Sequence, residues 1–167
     1  MDFDFSGDQE QLRDAVHKWV DKAYSFDRRR SITAAGGFDR AAYKELAELG
    51  LTGLYVSDAD GGMDMGPTEG MVVMEALGRG LVLEPLAQAL IAGGVLGAYA
   101  PAELKAAWLA RLTSGEALIV LAQQERALRY RLDGCTTTAP QGATGWSVSG
   151  AHNMMPVAGQ TDAFIVP

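Results

Sequence analysis

Side chains that could perform nucleophilic or metal chemistry are few and scattered in this sequence. The histidines His17 and His152 are far apart, and Cys135 has no neighbouring base or second thiol. Zinc sites need such ligands in a cluster, and a nucleophile needs an adjacent base. Ser147 and Ser149 lie near glycines but do not form the Gly-x-Ser-x-Gly elbow. The favoured interpretation is that these are ordinary strand residues.

Three acids in a glycine-rich stretch superficially suggest calcium. The acids are Asp58, Asp60 and Asp64. Counted from Asp58, a calcium loop also requires an acid or amide at the third alternating position, where Gly62 stands, and a Glu at the twelfth, which is Glu69, so only the last of these two requirements is met. A calcium loop needs oxygen ligands at all of the alternating positions. We therefore predict no metal site.

A glycine cluster and an arginine run could each bind a phosphate-containing ligand, but each also has a purely structural interpretation. The glycines Gly93, Gly94 and Gly97 follow no strand and do not match a dinucleotide fingerprint, so close helix packing is favoured. The run Arg28–Arg30 could grip a phosphate, but a solvated helix end is the better interpretation.

Four methionines could line a flexible pocket. They are Met63, Met65, Met71 and Met74. The helical spacing of the last two favours ordinary core packing over a ligand site.

Composition limits the class of protein. The chain has 167 residues, 48% of them hydrophobic, with 14 basic and 21 acidic residues and a net charge of −7. It is too apolar for a disordered protein and too acidic for nucleic acid or an anionic membrane surface. The longest apolar stretch, 81–100, is broken by Glu84 and Pro85, and the acidic N-terminus does not resemble a signal peptide. The single Cys135 fits a reducing compartment, so we expect a cytoplasmic protein.

Hydrophobic periodicity predicts five helices before any strand. Ser6 and Gln9 form a capping-box pattern that begins the first helix, which should end near Arg28–Arg30. A loop is expected at 31–37, an apolar segment at 51–56 and a glycine-rich loop at 58–66. Gly50 is placed to end the second helix. The other four helices are predicted over about 39–49, 67–77, 84–98 and 101–112.

The periodicity changes after Gly115. A continuous apolar run at 117–122 and shorter runs at 136–139, 146–149 and 163–166 are typical of strands. The predicted fold class is therefore α+β. An all-helical bundle domain at 1–115 is followed by a partial β domain at 116–167.

Three motifs resemble the acyl-CoA dehydrogenase family. The stretch LAELGLTGLYVSDADGGMDM at 46–65 is similar to the family's LAELGLxGLxVPExxGGxG. EALGR at 75–79 resembles EELGR, and LTSGE at 112–116 resembles IASGE. The motifs occur in the family's order and spacing across the helical part.

The resemblance implies an N-terminal helical domain, a middle antiparallel β-barrel domain and a C-terminal helical domain. It implies FAD as cofactor, an acyl-CoA substrate oxidised at its Cα–Cβ bond, electron-transfer flavoprotein as electron acceptor, and a homo- or hetero-oligomer. The catalytic base comes from the C-terminal part in this family, whose members are more than twice as long. We therefore expect no catalytic residue here and no activity of this chain alone.

The β region departs from the family pattern. The family's ALTEPxAGSD places its Thr and Glu on Gln124 and Glu125, and its Gly-Ser-Asp on 129–131, where Tyr130 and two arginines stand. The flavin-packing Trp corresponds to Met154, and the Thr near flavin N5 to Pro156. These five residues, Gln124, Glu125, Tyr130, Met154 and Pro156, are the predicted cofactor-binding positions.

The divergence is similar to the small-subunit type of acyl-CoA dehydrogenase, as in pimeloyl-CoA dehydrogenase. Two alternatives to a catalytic chain stay open. One is a non-catalytic structural subunit of a heteromeric acyl-CoA dehydrogenase, and the other is an unrelated helical interaction module. The resemblance also places the acyl-facing wall between Tyr55 and Leu90.

Overall fold

The computed structural model describes residues 4–129, 131 and 133–167. Within them, six α-helices precede four short strands, which confirms a helical domain followed by a few strands. The helices are α1 Gly7–Ala23, α2 Phe26–Ala34, α3 Arg40–Glu48, α4 Pro67–Arg79, α5 Leu86–Tyr99 and α6 Ala102–Thr113. The strands are β1 Ile119–Leu121, β2 Gln141–Gly142, β3 Gly145–Trp146 and β4 Ala163–Ile165. The described strands do not close into a barrel.

Helix α1 begins at the predicted capping box. The Ser6 hydroxyl accepts the Gln9 N–H at 3.2 Å, and the Gln9 side-chain oxygen accepts the Ser6 N–H at 2.9 Å. These bonds satisfy two donors that would otherwise lack partners at the helix start. One face of the helix buries Leu12, Val16 and Val20.

The end predicted for the first helix is wrong. Helix α1 ends at Ala23, and a separate helix, α2, begins after Ser25, whose hydroxyl accepts the Arg28 N–H at 3.2 Å. Tyr24 leaves the helical path to bury its ring in the core. Helix α2 therefore occupies most of the predicted 31–37 loop. Its periodicity was weak because Ile32 is its one buried residue.

The arginine run is not a solvated helix end as expected. The Arg28 guanidinium contacts Glu45 at 2.8 Å and Asp39 at 3.3 Å. Arg29 donates its Nε–H to the Leu81 carbonyl at 2.9 Å. Two of the three arginines therefore join α2 to its neighbours.

The remaining predicted helices are present with small shifts in their ends. Asp39 caps α3 by accepting the Ala41 N–H at 2.9 Å. Gly50 follows α3 in the left-handed region, at φ 80°, as a helix-terminating glycine should. The apolar 51–56 segment forms a buried 3₁₀ turn, Leu51–Gly53, rather than a strand.

Of the packing predictions for α4 and α5, the one on the glycines is partly right and the one on the methionines is wrong. A Cβ on Gly93 would lie 2.9 Å from the nearest side-chain atom, so this glycine does permit close packing. Gly94 and Gly97 face open space instead. Met71 and Met74 are 54% and 40% exposed, so the prediction that they are core residues is wrong.

The strands form two small sheets. Strands β1 and β4 pair in parallel with Ile119 opposite Ala163. Strands β2 and β3 form an antiparallel hairpin that is extended by one bridge between Thr138 and Ser149. The hairpin is antiparallel as expected for this region, but the parallel pair was not foreseen. The strands of the hairpin lie at 141–142 and 145–146, offset from the runs predicted at 136–139 and 146–149.

Strand β1 lies within the core that the helices build. Leu118 and Val120 are fully buried in a cluster with residues of α1, α3, α4 and α5. Ile119 faces a second cluster with Leu109 and Leu112 of α6. The division at 115/116 stays a prediction, and the two parts share a hydrophobic core across it.

One acid joins β4 to the start of α3. Asp162 accepts the Leu118 N–H and an Arg40 N–H, both at 2.7 Å. Arg40 also donates to the Gln160 carbonyl at 3.0 Å and to the Glu116 carbonyl at 3.3 Å. Three chain segments, the start of α3, 116–118 and 160–162, therefore meet at this ion pair.

Among the described helices, none combines the length and the apolar character that crossing a bilayer requires.

Candidate functional site

The candidate site begins where β1 ends. Ala122 donates its N–H to the Ile165 carbonyl at 2.8 Å, which fixes the exit from the strand. The Glu125 carbonyl then accepts the N–H groups of Leu128 and Arg129, both at 3.0 Å. These bonds fold 125–129 into a turn, and Arg129 adopts a left-handed conformation at φ 52°.

The Glu125 carboxylate holds this turn against 136–137. The side chain is 2% exposed and accepts the Thr136 N–H at 2.9 Å, the Thr137 N–H at 2.9 Å and the Thr137 hydroxyl at 2.8 Å. It also accepts the Thr136 hydroxyl. The Thr136 hydroxyl, followed by these other donors, lowers the pKa of Glu125 to about 2. The group is therefore an anion near neutral pH and a very weak base.

His152 extends this network. Its Nε2 lies 2.8 Å from the Thr137 hydroxyl oxygen. Because that hydroxyl gives its single proton to Glu125, His152 donates to it from Nε2. The other ring nitrogen, Nδ1, is buried and has no hydrogen-bond partner among the described residues.

A main-chain bond closes the other side of the site. The Asn153 N–H donates to the Gln124 carbonyl at 2.9 Å, so 152–156 lies against the turn. Met154 follows in a left-handed conformation at φ 55°, with its side chain 82% exposed. The result is a wall of two segments held together by hydrogen bonds.

Two adjoining depressions lie along this wall. The first has a volume of about 320 Å³ and the second about 260 Å³. Gln124, Asn153 and Met154 line both of them, so we treat the pair as one trough. The first depression also has Glu125, Arg126 and Arg129 in its wall. The second also has Gln88, Ile91, Leu121, Gln123, Met155 and Pro156.

Most of the predicted cofactor-binding residues come together at this trough. Gln124 and Met154 line both depressions, Glu125 lines the first and Pro156 the second. Tyr130 lies outside the described residues. The Glu125 carboxylate is bonded to Thr136 and Thr137, so its side chain acts as an internal anchor.

Sequence reasoning did not nominate Arg126 or Asn153, although both line the trough. The signal for Arg126 was its spacing of three residues from Arg129. That spacing becomes informative only when 125–129 is known to be a turn. Asn153 directly precedes Met154, a position that the family motif does mark.

The isolated thiol and the clustered acids form no second site. Cys135 Sγ is a distant donor to Glu125, at 3.5 Å, and lies 3.3 Å from the Pro167 carbonyl oxygen. A carboxylate with a pKa of about 2 cannot serve as its base. Among the described residues, no three His, Cys, Asp or Glu side chains are grouped to hold a metal ion.

A second perturbed acid lies away from the trough, between α4 and α5. Glu84 is 5% exposed, and neither carboxylate oxygen has a hydrogen-bond partner in the part of the chain that the structure describes. Burial raises its pKa, which the nearby Tyr24 hydroxyl partly offsets. Burial likewise raises the pKa of Tyr24 to about 12, and its hydroxyl accepts the Leu83 N–H at 3.1 Å.

A profile of the family described as acyl-CoA dehydrogenase, N-terminal domain, matches residues 6–116. This match covers well over half of the chain. The chain belongs to the acyl-CoA dehydrogenase family. The resemblance that rested on the three sequence motifs is thereby confirmed.

Curated members of the family match along the whole chain. Acyl-CoA dehydrogenase FadE27 of Mycobacterium tuberculosis is 26% identical over an alignment 173 positions long, which covers 100% of this chain and 44% of FadE27. Benzylmalonyl-CoA dehydrogenase of Aromatoleum aromaticum is 24% identical over 169 residues, which is 99% of this chain and 45% of that enzyme. The chain thus spans less than half the length of these relatives.

Solved structures of similar fold cover the chain equally well. The ChsE4-ChsE5 complex from Mycobacterium tuberculosis superposes with a TM-score of 0.86 at 24% identity, over 100% of this chain and 45% of that one. The FAD complex of PigA gives a TM-score of 0.85 at 22% identity, over 99% and 44%. At these identities the likeness shows a shared fold.

Proposed function

We propose that this chain is the N-terminal part of an FAD-dependent acyl-CoA dehydrogenase that oxidises the Cα–Cβ bond of an acyl-CoA thioester. The observation that carries the proposal is the position of the trough in a chain of this family. Four of the predicted cofactor-facing residues, Gln124, Glu125, Met154 and Pro156, line it. The helical segment from Tyr55 to Leu90 would form the acyl-facing wall.

The residues of the trough fit a flavin ring as one wall of its site. The side-chain amides of Gln124 and Asn153 can donate to the ring's carbonyl and nitrogen acceptors. Met154 and Ile91 offer apolar surface to the hydrocarbon part of the ring. Pro156 has no N–H to give, so the bonds must come from the two amides. When bound, FAD accepts the hydride that leaves the acyl β-carbon.

The same trough supports the proposal that this chain alone is inactive. Abstraction of an acyl α-proton needs a carboxylate that is basic near neutral pH. Among the described residues lining the trough, Glu125 is the only carboxylate, and its pKa is about 2. It can position 136–137 but cannot take the proton.

Two preparations test this proposal. The first is the purified 167-residue chain with added FAD, and the second is the assembly that copurifies with a tagged copy of the chain from its natural source. Both are assayed with acyl-CoA substrates and an artificial electron acceptor. We expect turnover by the assembly and none by the chain alone. Turnover by the chain alone would overturn its inactivity, and an assembly without flavin or turnover would overturn the dehydrogenase function.

The alternative is a non-catalytic subunit of a heteromeric acyl-CoA dehydrogenase, of the small-subunit type. Met154 and Pro156 at the flavin-facing positions favour it, since neither side chain can donate a hydrogen bond. The ChsE4-ChsE5 complex, named for two components, gives an independent reason to look for a partner chain. The flavin content of the assembly distinguishes the candidates. One FAD per copy of this chain supports catalysis, whereas flavin that follows only the partner supports the structural role.

The proposed setting follows from the reaction. Electrons would leave the flavin for an electron-transfer flavoprotein, and the assembly would be a homo- or hetero-oligomer in the cytoplasm. The free Cys135 supports a reducing compartment. No feature of the described chain calls for nucleic acid or a membrane as partner.

A further inference from the structure

The connection between α4 and α5, residues 80–85, places a carboxyl group inside the protein. Glu84 is 5% exposed, and both of its carboxyl oxygens are buried without a hydrogen-bond partner among the described residues. Glu84 does not line the trough. A buried carboxyl without partners is far easier to keep neutral than charged. Removal of its proton therefore penalises the conformation in which Glu84 is buried.

The polar groups that face Glu84 do little to offset this penalty. Tyr24, at the end of α1, has a hydroxyl whose oxygen accepts the Leu83 N–H at 3.1 Å and whose proton can be donated to a charged Glu84. Asp39, which caps α3, is a second acid and disfavours the charge. Burial has the largest effect, and the pKa of Glu84 is raised above its ordinary value.

The cations of the surrounding helices are engaged elsewhere. Arg28 of α2 contacts two carboxylates, and Arg29 donates to a main-chain carbonyl. Arg79 of α4 contacts an exposed aspartate of α1 at 2.8 Å. Helix α5 contains no charged residue. In the described part of these helices, no cation is thus bonded to Glu84.

The connection also contains a strained residue. Leu81 adopts a left-handed conformation at φ 52°, and its side chain is 56% exposed. This conformation is unfavourable for a residue with a Cβ, so a movement of the connection can relieve it. Since the Glu84 carbonyl accepts the Leu86 N–H at 2.8 Å, such a movement would reach the start of α5 directly.

The first turn of α5 is bonded to the end of β1. Gln88 lies one turn after Glu84, and its N–H donates to the Pro85 carbonyl at 3.0 Å. The side-chain oxygen of Gln88 accepts the Leu121 N–H at 3.3 Å. A displacement of this turn would therefore withdraw the acceptor from the last residue of β1.

We propose that Glu84 is a pH-sensitive switch at the start of α5. In its neutral form Glu84 keeps residues 80–85 docked against α1 and α3. When it loses its proton to solvent, the carboxylate turns outward, the first turn of α5 loosens and Gln88 releases the Leu121 N–H. The end of β1 thereby responds to pH, and this response does not depend on the proposed dehydrogenase function.

Hydrogen exchange of the purified 167-residue chain, read by NMR from pH 5 to pH 8, tests the switch. If only the open connection accommodates the anion, the open population rises by up to tenfold for each pH unit above 4.5, the ordinary pKa of glutamate. After correction for intrinsic exchange, the protection factors of the Leu83, Gln88 and Leu121 amides should fall at least tenfold. Val16, fully buried in α1, should stay at least tenfold better protected than these three at each pH, because its exchange requires a larger unfolding.

Two variants separate the switch from other titrating groups. E84Q should lose the pH dependence of these protection factors, whereas E75Q, at an exposed glutamate of α4, should keep it. Y24F removes a hydroxyl that can donate to the carboxylate. The titration midpoint of the Glu84 carboxyl, followed by ¹³C NMR, should therefore move to higher pH in Y24F than in the native chain.

The proposal would be overturned by a Glu84 carboxyl that titrates below pH 4.5 in the native chain, or by equal pH dependence in the native chain and E84Q. Protection of Leu83 and Gln88 equal to that of Val16 would also overturn it, since the segment would then open only with the core. A response confined to Leu83 and Gln88 would overturn the link to β1. If E84Q does not fold, the midpoints in the native chain and Y24F decide the matter.

Discussion

The buried carboxylate of Glu125 holds the wall of the trough together. This carboxylate receives donors from two consecutive residues, Thr136 and Thr137, and through Thr137 it fixes His152. Carboxylates that accept several such bonds are strongly favoured as anions. The wall of the trough therefore depends on a carboxylate whose oxygens are already occupied by hydrogen bonds within the protein.

E125Q should loosen this contact. Glutamine presents an NH₂ group to donors that need an acceptor, so the amide hydrogens of Thr136 and Thr137 should exchange roughly tenfold faster or more. In the native chain the stabilisation is present above the unfolded-state pKa of 4.5 and is lost as the pH falls towards the folded value of about 2. E125Q should lack this acid-dependent loss. Hydrogen exchange read by NMR tests both statements, and E103Q, at an exposed glutamate, is the control that should leave these amides unchanged.

Glu84 represents the opposite case, a buried acid whose oxygens accept no hydrogen bond from the described residues. Since burial raises its pKa in the folded protein, the unfolded chain releases its proton first as the pH increases. The contribution of this site to folding is therefore greatest in acid and declines as the pH rises above 4.5.

E84Q should stabilise the protein at pH 8. Glutamine keeps the shape but never ionises, so the variant avoids the cost of charging a buried carboxyl. We expect a gain of about 1–3 kcal/mol, since a pKa difference of one between the folded and unfolded states corresponds to about 1.4 kcal/mol. Urea unfolding at pH 5 and pH 8 measures it, and the advantage should shrink at pH 5. The matched control is E75Q, at an exposed glutamate of α4. A variant that is less stable than the native chain at pH 8 would contradict a strained Glu84.

The family motifs in the sequence were enough to predict which residues line the trough, but not which contacts hold those residues in place. Gln124, Met154 and Pro156 could be placed because family motifs mark their positions. The partners of Glu125 could not be anticipated, since they depend on how 136–137 packs beside the turn. Arg126 could not be predicted as a trough residue either, since its position depends on the turn at 125–129.

Helix ends could be predicted where a capping residue marks them, but not where tertiary packing determines the position of the end. The Ser6 cap and the left-handed Gly50 follow from local rules of helix termination. The break after Ala23 does not follow from these local rules, because it accompanies the burial of Tyr24 in the core. Local sequence signals cannot show that tertiary requirement.

The loop between the first 3₁₀ turn and α4 depends on two adjacent glycines in different ways. A Cβ on Gly62 would overlap the main-chain carbonyl of Val56, which cannot move aside like a side chain. Gly61 has open space around it but a φ of +83°. One glycine is needed for space and the other for backbone conformation.

G62A should therefore be much more damaging than G61A. We expect G62A to cost about 3 kcal/mol or more, in the range of severe core disruptions, and G61A about 1–2 kcal/mol for a left-handed alanine. Chemical denaturation of both variants gives the comparison directly. Equal losses would mean that the loop shifts to accept the methyl group at 62.

At the scale of the whole molecule, a polar contact holds β4 to the helices beside the hydrophobic core that the two parts share. Asp162 is its centre, because it joins the start of β4 to both Leu118 and Arg40. The guanidinium of Arg40 also donates to the carbonyls of Glu116 and Gln160. Loss of this acid should act on β4 before it acts on the helical core.

D162A should destabilise β4 docking by about 1–3 kcal/mol, the scale of hydrogen bonds to a charged group. Amide exchange should accelerate in 163–165, with the helical amides still protected. The matched control is E116A, which removes an exposed ion pair with Arg111 and should cost less than about 1 kcal/mol. Loss of protection throughout the helices of D162A would contradict local docking.

The parallel pairing of β1 and β4 has a consequence for how this protein can be redesigned. The chain leaves the core at Leu121, the end of β1, and returns to it at Ala163, the start of the neighbouring strand β4. Neighbouring strands lie only about 5 Å apart, so the ends of the intervening stretch are held close together. Residues 122–162, which carry the turn, the hairpin and most of the trough, thus form a cassette with fixed ends. Exchanging that cassette between relatives should transplant ligand preference onto an unaltered helical scaffold.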